Sequence, residues 1–211
     1  MKKLLLLCLL LPFMAFAEFY PGTITFTNGT TKTGLIEEPS GKLSKVIFKT
    51  SEKAKEEKFK TEEVKSFQMA NADGVMEDYV TIILGNNKIL NPKSFNLDSK
   101  KSVARIIKKG RITIYGVRFL KGSLSGNSMA GINNTRYQSE AYYMQRGDED
   151  FAFAIGIWQS DLTFMTGFNL YQVVDFNFKD TCPQFVEELK KADLKNTEFE
   201  RIVDIYEATC K

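Results

Sequence analysis

The chain has 211 residues, of which 29 are Lys or Arg and 26 are Asp or Glu, so its formal net charge is +3 at pH 7. It contains no histidine, which excludes Ser-His-Asp and Cys-His catalysis and zinc sites with histidine ligands. Because the net charge is close to zero, the chain as a whole has no general attraction to nucleic acid or to anionic membranes. The sequence indicates no catalytic residues, no metal ligands and no cofactor.

The first 17 residues have the pattern of a secretory signal peptide. Lys2 and Lys3 form a positive segment, an apolar run extends from Leu4 to Ala17, and Ala15-Phe16-Ala17 is an A-x-A cleavage motif before Glu18. The apolar run has 14 residues, fewer than the about 20 that a helix needs to cross a bilayer. We therefore expect cleavage before Glu18, no membrane span in the mature protein, and a periplasmic, outer-membrane-associated or secreted location.

Residues 18–176 are predicted to form one β-rich body. Residues 20–37 are typical of a β-hairpin, because Asn28-Gly29 is a strong signal for a two-residue turn. Closely spaced turns separate further short strands, which indicates an antiparallel small barrel or twisted sheet. These strands are predicted at residues 46–48, 64–69, 79–84, 112–119, 137–145 and 151–158. Residues 51–58 are predicted as a charged turn, and residues 121–134 as a loop rich in Gly, Ser and Asn.

The middle of the chain contains one predicted helix and one predicted bulge. Val103, Ile106 and Ile107 have the i, i+3, i+4 spacing of a helix over residues 99–109, and Gly110 follows as a stop signal. In the next strand the apolar residues change from one face to the other at Tyr115-Gly116, which predicts a β-bulge there.

Residues 177–211 are predicted to form a helical hairpin packed on the β-rich body. Two helical stripes of apolar residues support it, Cys182-Phe185-Val186-Leu189 and Phe199-Ile202-Val203-Tyr206-Cys210. Asp180-Thr181 is expected to cap the first helix, before Pro183. A short connection makes the helices antiparallel neighbours, so Cys182 and Cys210 should form a disulfide in an oxidising compartment. Cys8 lies in the leader and is removed with it.

Three segments carry a resemblance to known sequences. Residues 20–36, with residues 63–67 behind them, contain G-x-I, a glycine turn and a second G-x-I. Asp180-Thr181-Cys182-Pro183 is followed by Ile202-Val203, Tyr206 and Cys210, and residues 109–116 form the third segment. Together they resemble a family of uncharacterised exported proteins from Gram-negative bacteria. The resemblance implies export and a shared architecture, and it implies no activity.

A basic segment is the first candidate binding site. Residues 93–111 contain seven basic residues and one acid, Asp98. Arg105, Lys108, Lys109 and Arg111 are the candidates for electrostatic contact with an anionic sugar, a lipid headgroup or an acidic protein. The alternative is that this run of charges is only a solvated face. No aromatic residues alternate with these charges, as the stacking of nucleic acid bases would require.

Two further segments each allow two interpretations. Asp148-Glu149-Asp150 fits a carboxylate site or, as we expect, a turn between two strands. In the strand at residues 151–158, Ala152, Ala154 and Gly156 share one face. These small residues either line a groove for an apolar ligand or leave room for the helical hairpin, and we favour the packing role.

The sequence as a whole predicts an α+β fold, with an antiparallel β-rich body and a disulfide-closed C-terminal helical hairpin. We expect an exported, non-catalytic binding or structural module of the cell envelope, whose partner is a protein, a glycan or a lipid. The alternative is a carboxylate-based hydrolase such as a glycosidase, which needs no histidine. A pair of buried acids in one cleft would favour the hydrolase, and acids confined to turns would favour the binding module.

Overall fold

The computed structural model describes residues 18–88, 91–119, 139–147, 149–159, 170–192, 194 and 198–210. The predicted signal peptide with Cys8, the loop predicted at residues 121–134, and Asp148 lie outside these described residues.

The described chain forms ten strands and three helices. The strands are β1 (Phe19–Phe26), β2 (Thr31–Glu37), β3 (Lys45–Lys49), β4 (Glu57–Lys60), β5 (Val64–Ala70), β6 (Met76–Lys88), β7 (Asn91–Lys108), β8 (Ile112–Phe119), β9 (Ser139–Arg146) and β10 (Phe151–Gln159). The helices are α1 (Leu170–Phe178), α2 (Pro183–Lys191) and α3 (Glu200–Thr209).

All ten strands belong to one sheet, in the order β10-β9-β8-β7-β6-β5-β1-β2-β3-β4. Neighbours in this order pair antiparallel, and β10 also pairs parallel with β6, from Phe151↔Ile83 to Phe153↔Gly85. This last pairing closes β6 to β10 into a five-stranded barrel, and the other five strands extend the sheet from β6. The predicted α+β class and the antiparallel β-rich body are confirmed.

The first hairpin forms where the sequence predicts it. β1 and β2 pair from Phe19↔Glu37 to Thr25↔Thr31, and the turn between them contains Asn28 and Gly29. Gly29 has a φ of 84°, a conformation that glycine adopts without steric cost. The side-chain oxygen of Asn28 accepts hydrogen bonds from the backbone N–H and the hydroxyl of Thr30. This local chemistry explains why two residues are enough to predict the turn.

Three apolar cores fill the structure. The barrel interior receives side chains from all five barrel strands: Ile82, Leu84, Ala104, Tyr115, Val117, Ala141, Tyr143 and Ala152. The extended part of the sheet encloses a second core, with Ile24, Ile36, Val46, Phe48, Val64, Phe67, Met69, Tyr79 and Val103. The three helices cover the outer face of the barrel and form the third core with β8, β9 and β10.

The helix predicted at residues 99–109 is wrong, because residues 99–108 belong to the long strand β7. β7 pairs with β6 from Tyr79↔Arg105 to Lys88↔Asn91. Its two faces enter different cores, with Val103 in the core of the extended sheet and Ala104 in the barrel interior. Burial on both faces produces apolar spacing that imitates a helix, and strand pairing overrides the local preference.

Two finer expectations also need correction. Glu57 and Lys58, predicted as part of a charged turn, begin strand β4. The bulge predicted in β8 lies on the neighbouring strand, where the β7–β8 register shifts between Ile106 and Lys108. β8 pairs with β9 without interruption. The change of face within β8 therefore arises because both faces of the strand are buried.

The C-terminal disulfide is confirmed. Cys182 immediately precedes α2 and Cys210 immediately follows α3, so antiparallel helices bring their Cα atoms to 5.8 Å in the Cys182–Cys210 bridge. The cap expected from Asp180-Thr181 is wrong, since the N-cap residue is Cys182, whose side chain makes no capping hydrogen bond. Among the described residues, no helix has both the length and the apolar composition needed to cross a membrane.

Helix α1 was not predicted from the sequence. It has no acidic residue in its first turn and no basic residue in its last turn, so the charge signals for helix ends are missing. It buries Leu170, Val173, Val174 and Phe178 in the core under the helices. The domain boundary expected between residues 176 and 177 falls within this helix.

Candidate functional site

Four charged residues lie side by side on the sheet, between the core of the extended sheet and the core under the helices. Glu77 lies on β6, Arg105 on β7, Arg118 on β8 and Glu140 on β9. Strand register places them on one face, because Arg105 is opposite Gly116 and Arg118 is opposite Glu140. These four residues are called the ion-pair cluster below.

The two arginines of the cluster bridge the two acids. Arg118 donates two hydrogen bonds to Glu77, Nη1 to Oε2 at 3.0 Å and Nη2 to Oε1 at 2.8 Å. Arg105 donates from Nη2 to Glu140 Oε1 at 2.7 Å, and its Nη1 lies 3.5 Å from Glu77 Oε1. The Tyr79 hydroxyl donates to Glu77 at 2.7 Å. Each negative charge is thus matched by a guanidinium group in a bidentate or bridging geometry.

The acids of the cluster are the most enclosed of its members. The side chains of Glu77 and Glu140 are 11% and 10% exposed, against 19% for Arg105 and 25% for Arg118. Burial by itself raises the pKa of Glu77, but hydrogen bonds from Arg118 and Tyr79 and the charges of both arginines outweigh burial. The pKa of Glu77 therefore lies below its ordinary value, and this residue stays a carboxylate at neutral pH.

The second acid is held in place by residues on both sides of it. The Tyr142 hydroxyl donates to Glu140 Oε2 at 2.9 Å, and burial, followed by the charge of Glu140, raises the pKa of Tyr142. A Cβ added to Gly116 would overlap the Glu140 carboxylate, so only glycine lets this carboxylate lie against the strand. The ring of Tyr142 stacks on Phe199 at the start of α3, with centroids 3.8 Å apart. The cluster is thereby connected to the helical layer.

The space beside the cluster is too small for a substrate. The adjoining cavity has a volume of about 10 Å³ and is lined by Pro39, Tyr79, Arg105 and Arg118, among others. A single water molecule needs about 10–15 Å³. The arrangement can therefore hold charges in fixed positions, but it offers no room for a sugar ring.

A larger cavity lies next to this one, at the point where β2 and β3 diverge. The β2–β3 ladder ends at Ile36↔Phe48, and the gap beyond it opens into a cavity of about 240 Å³. Its lining combines aliphatic and charged residues: Glu37, Glu38, Pro39, Ser40, Leu43, Lys45, Val46, Ile47 and Val103. Pro39 and Val103 line both cavities.

The four basic residues predicted to bind a ligand are not gathered into one free basic surface. Arg105 belongs to the ion-pair cluster, and Lys108 forms an ion pair with Asp204 at 2.5 Å. Arg111 binds the Glu207 carboxylate at 2.7 Å and the backbone carbonyl of Cys210. Hydrogen bonds from the backbone and side chain of Arg111 hold the pKa of Glu207 below its usual range.

Lys108 and Arg111 therefore join the barrel to α3, and Lys109 is exposed to solvent beside them. Arg111 reaches the carbonyl end of α3, where the helix dipole favours a cation. These interactions give the two residues a role in attaching the helical layer.

The other two candidate segments are Asp148-Glu149-Asp150 and the small residues of β10. The part of the Asp148-Glu149-Asp150 segment that is described connects β9 to β10, and the Glu149 carboxylate pairs with Arg146. Ala152 and Ala154 face the barrel interior and not the helices, which corrects the expected packing role. Of these small residues, only Gly156 lies beside the helical layer. A Cβ added at this glycine would lie 3.4 Å from the ring of Phe199. The strand changes register between Ala154 and Gly156.

Sequence reasoning missed Glu77, Arg118 and Glu140. A signal was present, because Arg118 and Glu140 each lie next to a run of apolar or aromatic residues in their strand. A charged residue in such a position is buried only when it has a partner, which indicates an ion pair without identifying its members.

Within the part of the chain that the structure describes, no group of three or more Cys, Asp or Glu side chains could hold a metal ion. Comparison with models of protein families, with curated proteins and with solved structures finds no match.

Proposed function

We propose that this protein is an exported, non-catalytic binding module of the cell envelope. The observation that carries the proposal is the pairing of the two enclosed acids, Glu77 and Glu140, with Arg105 and Arg118. A carboxylate hydrolase requires such enclosed acids in one place, so the pairing of these two acids with arginines supports the binding module over the hydrolase.

A glycosidase needs one carboxylic acid with a raised pKa as proton donor and a second, accessible carboxylate as base or nucleophile. Glu77 has the opposite property, since its pKa is lowered by its arginine and tyrosine partners. Both carboxylates are engaged by guanidinium groups, and the adjoining space of about 10 Å³ admits no sugar. These features favour a structural role for the cluster.

Three features support a binding module in the envelope. The signal-peptide pattern before Glu18 supports export, and the Cys182–Cys210 disulfide fits an oxidising compartment. The resemblance to exported Gram-negative proteins agrees with both. The cavity of about 240 Å³ beside β3 offers a ligand an apolar floor and a charged rim.

The first test concerns export. The full chain, produced with its own leader in a Gram-negative host, should be recovered from the envelope or the medium with a mass beginning at Glu18 and no free thiol. A product that keeps residues 1–17, or that stays in the cytoplasm, contradicts the proposal.

The second test concerns binding against catalysis. A photo-crosslinking residue at Leu43, which lines the larger cavity, should give a specific adduct in intact cells, and the same residue at the exposed turn position Glu52 should not. Turnover of any glycan or ester that Glu140→Gln abolishes without changing stability would establish the hydrolase instead.

A further inference from the structure

The gap between β2 and β3 has a cause in the sequence. Continued past its last pair, Ile36↔Phe48, the β2–β3 register would place Pro39 opposite Lys45. Proline has no backbone N–H, so it cannot complete a hydrogen-bonded pair at this position. The ladder ends before this point, and the larger cavity opens in the place where β2 would have continued.

The backbone of Lys45 points into this gap. Thr61 N–H donates to Ser44 C=O at 3.1 Å, so Ser44 and, by alternation along the strand, Val46 direct their backbone groups toward β4. Lys45 lies between them, and its N–H and C=O face the other side, where the described chain pairs no residue of β2 with it. An open strand edge of this kind can form hydrogen bonds with an added extended peptide.

The cavity has the size and polarity of the end of a peptide. Val46 and Val103, each 3% exposed, form its floor, and Pro39, Leu43 and Ile47 add aliphatic surface. At the roughly 30 Å³ that a water molecule occupies in the liquid, about 240 Å³ holds about eight groups of this size. This is close to one valine residue with the peptide group that follows it. The paired parts of β2 and β3 close one end of the gap, so a chain enters it from the other end.

The charges at the closed end favour an amino terminus. Glu37 is the last residue of β2 and Glu38 follows it, and both line the cavity together with one lysine, Lys45. Burial, followed by the charge of Glu56, raises the pKa of Glu37, although two lysines act against this shift. An ammonium group placed here would stabilise the Glu37 carboxylate, whereas an anion would add to the negative charge.

We propose that this gap binds the free amino terminus of another polypeptide, extended and antiparallel to β3. The first residue of that chain lies opposite Val46, with an aliphatic side chain over Val46 and Val103 and its ammonium group toward Glu37. The second residue lies opposite Lys45 and exchanges both backbone hydrogen bonds with it. This inference rests on the proposed function as a binding module and names the chemistry of the partner that the module takes.

The test uses the oxidised mature protein and the tripeptide Val-Thr-Thr-amide, with binding followed by NMR. The peptide should shift the amide signal of Lys45 and the methyl signals of Val46 and Val103, and leave those of Ile202, under the helices, unchanged. Acetylation of its amino group, or N-methylation of its second residue, should each weaken binding at least about fivefold, because each removes a hydrogen-bonded contact. Gly-Thr-Thr-amide should bind about tenfold more weakly, since it lacks the buried aliphatic group. Equal affinities of these four peptides would overturn the proposal.

Substitutions in the protein test the position of the peptide backbone. Lys45→Pro removes the N–H that faces the gap, at the first residue of a strand, where proline is tolerated, and should weaken binding about fivefold. Lys45→Gln keeps this N–H and should bind the peptide as the wild type does. In the wild type, the peptide should also slow hydrogen exchange of the Lys45 amide, which needs no substitution. Unchanged exchange at saturating peptide would contradict the proposed pairing.

A second pair of variants tests the position of the ammonium group. Glu37→Gln should weaken binding of Val-Thr-Thr-amide about two- to fivefold, the range for exposed ion pairs, and should not change binding of the acetylated peptide. Glu52→Gln, at the exposed β3–β4 turn, should leave both affinities unchanged. An effect of Glu37→Gln that is equal for the free and the acetylated peptide would refute the contact with the ammonium group.

Other occupants give different results. If the acetylated peptide binds as tightly as the free one, an internal segment takes the place of the amino terminus and the proposal is wrong. It is also wrong if hexanol shifts Val46 and Val103 and the peptide does not, because the occupant is then a small apolar molecule. If all the peptides fail while the adduct at Leu43 persists in cells, the binding module stands and only its partner class falls. Loss of both removes the proposed function as well.

Discussion

Replacing Glu77 by leucine should destabilise the protein through the ion-pair cluster. The carboxylate binds Arg118 in bidentate fashion, accepts the Tyr79 hydroxyl, and lies 3.5 Å from Arg105. Its removal leaves two guanidinium groups with one carboxylate, and breaking a buried pair in this way costs about 3–5 kcal/mol. Because Arg105 and Arg118 are 19% and 25% exposed, water screens part of the unpaired charge, and we expect a loss of about 2–3 kcal/mol.

Urea unfolding of the oxidised mature protein, followed by circular dichroism, measures this loss. With a slope of about 2 kcal/mol per molar urea, the midpoint should fall by about 1–1.5 M. The matched control is Glu52→Leu, the same replacement at an exposed turn, which should stay within about 0.5 kcal/mol of the wild type.

A double-mutant cycle separates the ion pair from general effects of the leucine side chain. Glu77→Leu combined with Arg118→Leu should cost at least about 1 kcal/mol less than the two single losses together, because the second replacement removes the charge that the first leaves unpaired. Additive losses, or a Glu77→Leu variant as stable as Glu52→Leu, would refute the reasoning.

Cys210→Ser removes the disulfide, which stabilises the fold by about 3.6 kcal/mol through the chain entropy of the unfolded state. Calorimetry should therefore show a melting temperature lower by roughly 7–14 °C, and an unchanged melting temperature would contradict this. Gly116→Ala should displace the Glu140 carboxylate and cost about 1–3 kcal/mol in urea unfolding, and a neutral effect would show that the carboxylate moves freely. The pKa of Glu77 lies below its ordinary value of 4.5, so its stabilising effect is complete above that value and is lost as pH falls through the folded-state pKa. The difference in unfolding free energy between the wild type and Glu77→Leu should therefore narrow below about pH 4.5, and a constant difference from pH 7 to pH 3 is the contrary result.

The features that were predictable from the sequence are those that local chemistry determines. The Asn28-Gly29 turn needs only the conformational freedom of one glycine and the side-chain oxygen of one asparagine. The Cys182–Cys210 bridge follows from two helical stripes and a short connection, because antiparallel helices bring the start of one beside the end of the other. Neither feature depends on the packing of distant strands.

The error in β7 has a long-range cause. Val103 and Ala104 are adjacent in sequence, and both are buried because the strand separates two cores. A strand with one solvated face shows alternation, whereas a strand buried on both faces shows a continuous apolar run that periodicity cannot distinguish from a helix. The second core that buries β7 is built by β1 to β5, and local spacing in β7 contains no information about it.

The position of the ion-pair cluster depends on register in the same region. Residues 112, 114–117 of β8 and 139–144 of β9 are buried on both faces, so the apolar pattern alone does not determine how these two strands align. A slip of either strand by one residue would turn its charged side chain toward the barrel interior, where Val117 and Ala141 lie in the observed alignment. The interior is apolar, and the desolvation of an unpaired charge there outweighs the packing energy of any apolar side chain. The charged pair thus distinguishes the observed register from its neighbours, which accounts for the presence of full charges beside the apolar runs of these two strands.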